Sequence, residues 1–207
     1  MPLTERFDAA LALAHRVHRH QTRKGTAIPY IAHVLGVTAL VLEYGGSEDE
    51  AIAAVLHDVL EDVNEFGVDL TAEMVRDEIE QHFGEHVLTI VEHLTDTTAH
   101  PKPSWPERKA KHLTSLRQAP SSALLIAAAD KLHNVKSLIR DYRDVGEKLW
   151  ERFNPEAGRG GTLGYYRAMV ELLKSRLPGA LTDDFERALV MLEDLVVVAN
   201  RSNVQTS

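Results

Sequence analysis

Four ionisable residues, His57, Asp58, Glu61 and Asp62, close the apolar run Ala51-Ile-Ala-Ala-Val-Leu56. Burying such groups is costly unless each is paired or bound to a metal. Local signals predict one helix from Ser47 to Asp62. Ser47 and Glu50 have capping-box spacing, and Gly45-Gly46 ends the helix before it. At about 100° per residue the four groups fill an arc of roughly 140°. Leu56, Val59, Leu60 and Val63 take the other side. One face packs, and the other presents an imidazole and three carboxylates. An ordinary amphipathic helix with a solvated acidic end accounts for the same pattern.

Two further segments put polar groups into apolar settings. Arg23-Lys-Gly-Thr-Ala-Ile-Pro-Tyr-Ile-Ala-His33 is a basic loop leading into a helix that begins at His33. Leu124-Leu-Ile-Ala-Ala-Ala-Asp130-Lys-Leu-His-Asn134 is an apolar helix interrupted by an acid, with Asn134 one turn beyond it. His33, His57, Asp58 and Asp130 form a mixed imidazole and carboxylate set, which suits Mn²⁺, Fe²⁺ or Zn²⁺ better than Ca²⁺. Each residue alone has a plainer reading. His33 fits a helix end or a satisfied core histidine, Asp130 a buried hydrogen-bonding acid, and Arg23 and Lys24 solvated loop charges. Their joint occurrence in the order His, His-Asp, Asp favours the metal reading.

The elements that must position these groups are helical throughout. Thr4 to His20 carries Phe7, Leu11, Ala14 and Val17 on one stripe, and His33 to Tyr44 follows a loop containing Gly25 and Pro29. After Asp62 come Thr71 to Phe83 and Glu85 to Leu94, broken at Gly84. A helix to Gln118 opens on a second capping box, Ser104 and Glu107, with Pro106 in its first turn. Ser121 to about Arg140, Thr162 to Leu177 and Asp183 to Asn200 complete the series. Strand signals are lacking, so the expected class is all-α, with one domain over 1–200 and a polar, disordered tail over 201–207. Gly158-Arg-Gly-Gly161 reads as a flexible loop. It lacks the preceding strand and following Lys-Ser/Thr of a phosphate-binding loop.

Composition narrows the function. With 207 residues, 44% of them hydrophobic, the chain has enough apolar material for a sizeable core. The absence of cysteine excludes disulfides and zinc-thiolate sites. A net charge of −8 argues against non-specific nucleic-acid binding, so an anionic small substrate would need a local basic pocket or a metal. The start lacks a signal-peptide pattern and no apolar run reaches membrane-span length, so a cytoplasmic location is expected, with no membrane partner. Oligomeric state is not legible.

The blocks Arg23-Lys24, Pro29-Tyr-Ile-Ala-His33, Leu56-His-Asp-Val-Leu-Glu-Asp62 and Ala129-Asp-Lys-Leu-His-Asn134 occur in this order. Over roughly Leu3 to Leu177 the chain resembles the HD-domain metal-dependent phosphohydrolases, in particular the small RelA/SpoT-type alarmone hydrolases. That resemblance implies an HD-domain helical bundle in which His33, His57, Asp58 and Asp130 hold one divalent ion, Mn²⁺ in relatives. It implies that Glu61 and Asp62 position and deprotonate the attacking water, and that Arg23, Lys24 and Asn134 contact the nucleotide. The implied reaction removes pyrophosphate from the 3′ position of guanosine tetra- or pentaphosphate, leaving GDP or GTP. Lys131 is a further candidate cation for so anionic a substrate. The chain departs from the family at Val34, where many relatives have proline, and at Lys131, where many have arginine and its bidentate fork. Around Lys102 the segment that bears a substrate-facing lysine in relatives is rewritten. These changes leave open an HD phosphohydrolase of another specificity, such as a nucleotidase, an NADPH phosphatase or an adenine-alarmone hydrolase. A non-catalytic nucleotide-binding module is the alternative of a different class.

Overall fold

The chain folds as a helical assembly, seen in a computed structural model that describes residues 2–63, 69–99 and 101–205. Helix α1 spans Glu5–His18, α2 Ile31–Glu43, α3 Glu48–Val55 and the single turn α4 Val59–Asp62. Then follow α5 (Ala72–Phe83), α6 (Glu85–Leu94), α7 (Trp105–Leu116) and α8 (Ser121–Val145). A 3-10 segment over Gly146–Arg152 leads to α9 (Gly158–Arg176) and α10 (Ala180–Gln205). Among the described residues there is no strand beyond the isolated bridge Thr22–Pro29. No helix among them is long and apolar enough to cross a membrane.

Helix α8 is the axis. It packs against α2, α3, α6, α9 and α10. Its run Ala127-Ala128-Ala129 is buried, and residues this small let neighbouring backbones approach Asp130 closely. Helix α3 beside it is buried from Ala51 to Val55, on every face. A helix apolar all round belongs in a core. The Ser47–Glu50 capping box is formed as predicted, and Gly45, at φ 84, supplies the left-handed residue that ends α2. Gly84, at φ 88, separates α5 from α6.

Several local expectations need correction. The buried face of α1 is Ala10, Leu13, Ala14 and Val17; Phe7 and Leu11 sit at its edge, half-buried. Ser104 begins α7 without a side-chain cap, because the Glu156 carboxylate instead accepts from the Trp105 backbone N–H at 2.8 Å. Gly158-Arg-Gly-Gly161 is the first turn of α9 and not a loop. A Cβ on Gly161 would touch the Trp105 ring at 3.4 Å, and Thr162 Oγ1 donates to the Gly158 carbonyl at 2.7 Å, so packing overrides the poor helix propensity of glycine. Helix α10 continues to Gln205, since no glycine or proline interrupts the run after Asn200. Residues 206 and 207 of the expected tail lie outside the described residues.

Candidate metal centre

The largest departure from expectation is at the site itself. The helix predicted from Ser47 to Asp62 breaks at Leu56, His57 and Asp58, with Leu56 at φ −100, ψ 4 and Asp58 at φ −108, ψ −1. His57 Nδ1–H donates to the Ala54 carbonyl at 2.8 Å. That carbonyl would accept from the Asp58 N–H in an uninterrupted helix. The imidazole thus replaces a backbone donor and helps hold the turn. In a helix the two dyad side chains would diverge by about 100°. In the turn, His57 Nε2 and Asp58 Oδ2 are 2.9 Å apart.

His33, in the first turn of α2, joins them. The donor atoms of His33, His57 and Asp58 all lie within 4.8 Å of one another. Asp130, from the middle of α8, reaches His33 Nε2 with Oδ1 at 3.2 Å. His57 Nε2 is buried and has no hydrogen-bond partner, although Asp58 Oδ2 is so near, because the two are misaligned for a hydrogen bond. Buried imidazole nitrogens and carboxylate oxygens crowded this closely, with the His57 Nε2 left without a hydrogen bond, fit a divalent cation between them. The mixed nitrogen and oxygen set is of the kind that first-row divalent ions accept.

Each ligand candidate has an outer partner. Tyr30 hydroxyl donates to Asp58 Oδ2. Asn134 donates to Asp130 Oδ1 at 2.5 Å while its own oxygen accepts from the Arg23 guanidinium at 2.9 Å. His33 Nδ1 meets His133 Nδ1 at 2.9 Å. Such partners fix the orientation of metal-binding side chains. The last pair depends on a glycine, since a Cβ on Gly36 would fall 2.3 Å from His133 Nε2. Gly36→Ala is therefore expected to destabilise the protein by about 1–3 kcal/mol through overpacking. It should also weaken divalent-ion affinity by about 10–100-fold as His133 leaves His33. Denaturant unfolding and a metal titration measure both; a variant unchanged in both would contradict the packing described.

The electrostatics follow from burial and close partners. Burial holds the His33 imidazole below its ordinary value against the pull of Asp130, leaving it neutral and able to coordinate. Burial also depresses His57, but the adjacent Asp58 carboxylate outweighs it and pushes the imidazole up to about 9. Burial would raise Asp130; Lys131, whose Nζ is 2.5 Å from Oδ2, and His33 hold it well below the usual carboxylate range. Burial pushes Tyr30 up, helped by Asp58 and Asp62, so it remains a hydroxyl donor. Glu61 is raised, first by burial and then by Asp58, with Lys102 Nζ at 3.2 Å acting against them. Asp62 is oriented by the Gln21 amide, which donates to its Oδ2 at 2.8 Å; Gln21 in turn accepts from His18 Nδ1 at 2.6 Å.

Tyr30, His57, Asp58, Glu61, Asp62 and Asp130 line a cleft of about 200 Å³, together with Lys109, His112, Lys131 and Asn134. Beyond Asn134 a second cavity of about 120 Å³ opens between Arg23, Lys24, Arg152, Phe153 and Tyr166. The residues singled out in sequence therefore gather in two adjoining spaces. His57, Asp58, Glu61, Asp62, Asp130 and Lys131 line the first, with the buried His33 behind them; Arg23 and Lys24 line the second, and Asn134 borders both. Sequence reasoning passed over Tyr30 and His133, each three residues from a ligand candidate on the same helical face, a spacing that could have flagged them. Lys109 and His112 sit on an amphipathic helix whose pattern carries no chemical signal.

Comparison with known proteins places the chain in a family. Residues 10–163 match the family described as the HD domain. The guanosine-3′,5′-bis(diphosphate) 3′-pyrophosphohydrolase MESH1 of Xenopus tropicalis is 39% identical over 141 residues, covering 64% of this chain and 72% of the relative. The Homo sapiens protein of that name is 36% identical over 134 residues, covering 63% and 68%. A solved structure of a metazoan ortholog of SpoT, described as hydrolysing ppGpp, superposes with a TM-score of 0.71 at 25% identity over 91% of this chain and 96% of that one.

Proposed function

The chain belongs to the HD-domain family, in its RelA/SpoT-type branch, and on that premise we propose that it hydrolyses guanosine 3′,5′-bis(diphosphate) at the 3′ position with Mn²⁺ as cofactor. The observation that carries this reading is the convergence of His33, His57 and Asp58 at the foot of a cleft whose other wall is basic. With Asp130 they would hold one ion. A divalent ion bound there supplies charge neutralisation at the phosphate and a more acidic water.

The protein's own residues do the rest. Tyr30 and the Ala54 carbonyl keep Asp58 and His57 aimed at a common point. Asp62, fixed by Gln21, orients the attacking water, and Glu61, raised above its ordinary range, accepts its proton. The water oxygen bonds to the inner phosphorus of the 3′-diphosphate. The bond from that phosphorus to the ribose 3′ oxygen breaks, its electron pair leaves with that oxygen, and a proton ends there. GDP and pyrophosphate are the products. Arg23 and Lys24 hold the nucleoside in the second cavity, and Asn134 links it to the cleft. Mn²⁺-loaded protein is expected to release pyrophosphate from the guanosine bis(diphosphate). Release of orthophosphate alone, from other nucleotides, would sink the reading.

Metal loading has a proton signature. His57 stays protonated up to about 9 without the ion, because Asp58 outweighs burial. Binding at pH 7 is therefore expected to release about one proton, and affinity should rise up to about tenfold per pH unit between 7 and 9. Calorimetry in two buffers of different ionisation enthalpy reads the proton directly. Identical enthalpies in both would show that His57 is not held protonated by Asp58 in the metal-free protein.

A further inference from the structure

The wall of the cleft facing the acidic residues is built from α7 and α8. Lys109 and His112 lie one turn apart on α7, and Lys131 comes from α8. Lys109 Nζ lies 2.9 Å from Asp96, which also receives Arg108, so this cluster sets two cations against one acid and keeps a net positive charge. The ammonium groups of Lys109 and Lys131 stand 5.3 and 5.9 Å from the centre of the same Tyr165 ring. An ammonium has three donors, and the carboxylates named here leave some of them available. His112 is the second, independent observation. It is only 5% exposed, it lines the cleft, and its Nδ1 has no hydrogen-bond partner. A buried polar atom of this kind normally has a partner. Burial, with Lys131 and Lys109, holds His112 near 4, so at neutral pH it is an uncharged imidazole with one N–H to give.

We propose that Lys109, Lys131 and His112 form a seat for the outer phosphate of a diphosphate group, so that the cleft selects a diphosphate over a single phosphate. The inference rests on the reaction proposed above and assigns part of its specificity. The inner phosphate sits at the metal centre between Glu61 and Asp130, and the outer one turns toward α7. There it meets the ammonium groups and the unpartnered His112 nitrogen. A monophosphate ester would reach the metal centre and leave this wall without a partner.

The test uses the full chain loaded with Mn²⁺, with free Mn²⁺ buffered at constant activity and inorganic pyrophosphate and orthophosphate as probes. The native protein is expected to bind pyrophosphate at least about tenfold more tightly than orthophosphate, as expected for one added charge-assisted hydrogen bond. Lys109→Gln and His112→Leu should each bring that ratio toward one with Mn²⁺ affinity unchanged, and Lys109→Arg should retain it. A ratio untouched by the variants overturns the seat. So does a parallel fall in pyrophosphate, orthophosphate and Mn²⁺ affinity, which marks a structural role. Hydrolysis of the guanosine bis(diphosphate), measured alongside, separates the two readings. A variant-sensitive ratio without hydrolysis overturns only the reaction, and hydrolysis with an insensitive ratio overturns only the seat.

Discussion

Asp58→Asn is expected to abolish measurable Mn²⁺ binding and to lower alarmone hydrolysis on the order of 10³-fold or more, beyond the 10–100-fold that follows loss of an outer partner. Asparagine preserves the volume and can still accept from Tyr30, so the fold should survive and circular dichroism should be unchanged. What is lost is the carboxylate 2.9 Å from His57 Nε2. The variant also changes stability with a definite sign. In the native chain without metal, His57 is raised to about 9 from an ordinary 6.5. Its contribution is fully present below about 6.5 and is lost as pH rises through about 9. Removing Asp58 leaves burial, which depresses the imidazole, opposed only by the smaller pull of Asp130 and of the Ala54 carbonyl. The stability deficit of the metal-free variant should therefore be greatest below pH 6.5 and fade above 9. Urea unfolding at pH 6 and pH 10 measures it, and a deficit equal at both would show that the two groups are not coupled.

Glu61→Gln should lower kcat by about 10²–10⁴-fold, the usual contribution of a positioned general base, while Mn²⁺ affinity stays within about threefold. This separation of chemistry from metal binding distinguishes it from Asp58→Asn. In the metal-free protein burial and then Asp58 raise Glu61 above the ordinary glutamate range. Lys102, 3.2 Å away, opposes them. Lys102→Met removes that opposition, so the acid limb of its pH–rate profile should move to higher pH. A limb that moves to lower pH would remove Glu61 from the role of base.

Much of the site was legible in the sequence because ionisable residues inside apolar runs are expensive. His33, His57, Asp58 and Asp130 each interrupt such a run, and the structure brings them together from α2, the turn before α4, and α8. The helical class was legible for a similar reason, since apolar periodicity near 3.6 recurs along the chain and strand alternation does not. The break at Leu56–Asp58 was not. No glycine or proline marks it, and it arises when a side chain takes over a backbone hydrogen bond, which periodicity does not register. The start of α9 was misread because Gly158 and Gly161 argue locally against helix, whereas Trp105, 50 or so positions away, argues for it through contact. Lys109 and His112 escaped because a lysine and a histidine one turn apart on a surface-type helix resemble solvated charges until the cleft gives them a direction.

The ligand candidates come from three separate stretches of chain, and this makes the ion a gauge of assembly. Twenty-three residues lie between His33 and His57, and seventy-one lie between Asp58 and Asp130. Their donors converge only when α2, α3 and α8 are packed together. An unfolded chain has no comparable site, so occupancy at 100 times the dissociation constant would add about 2.7 kcal/mol to the folding free energy. The melting temperature should then track free metal concentration. Under metal starvation the enzyme would lose turnover and resistance to unfolding together, which couples its abundance in a cell to the supply of its cofactor.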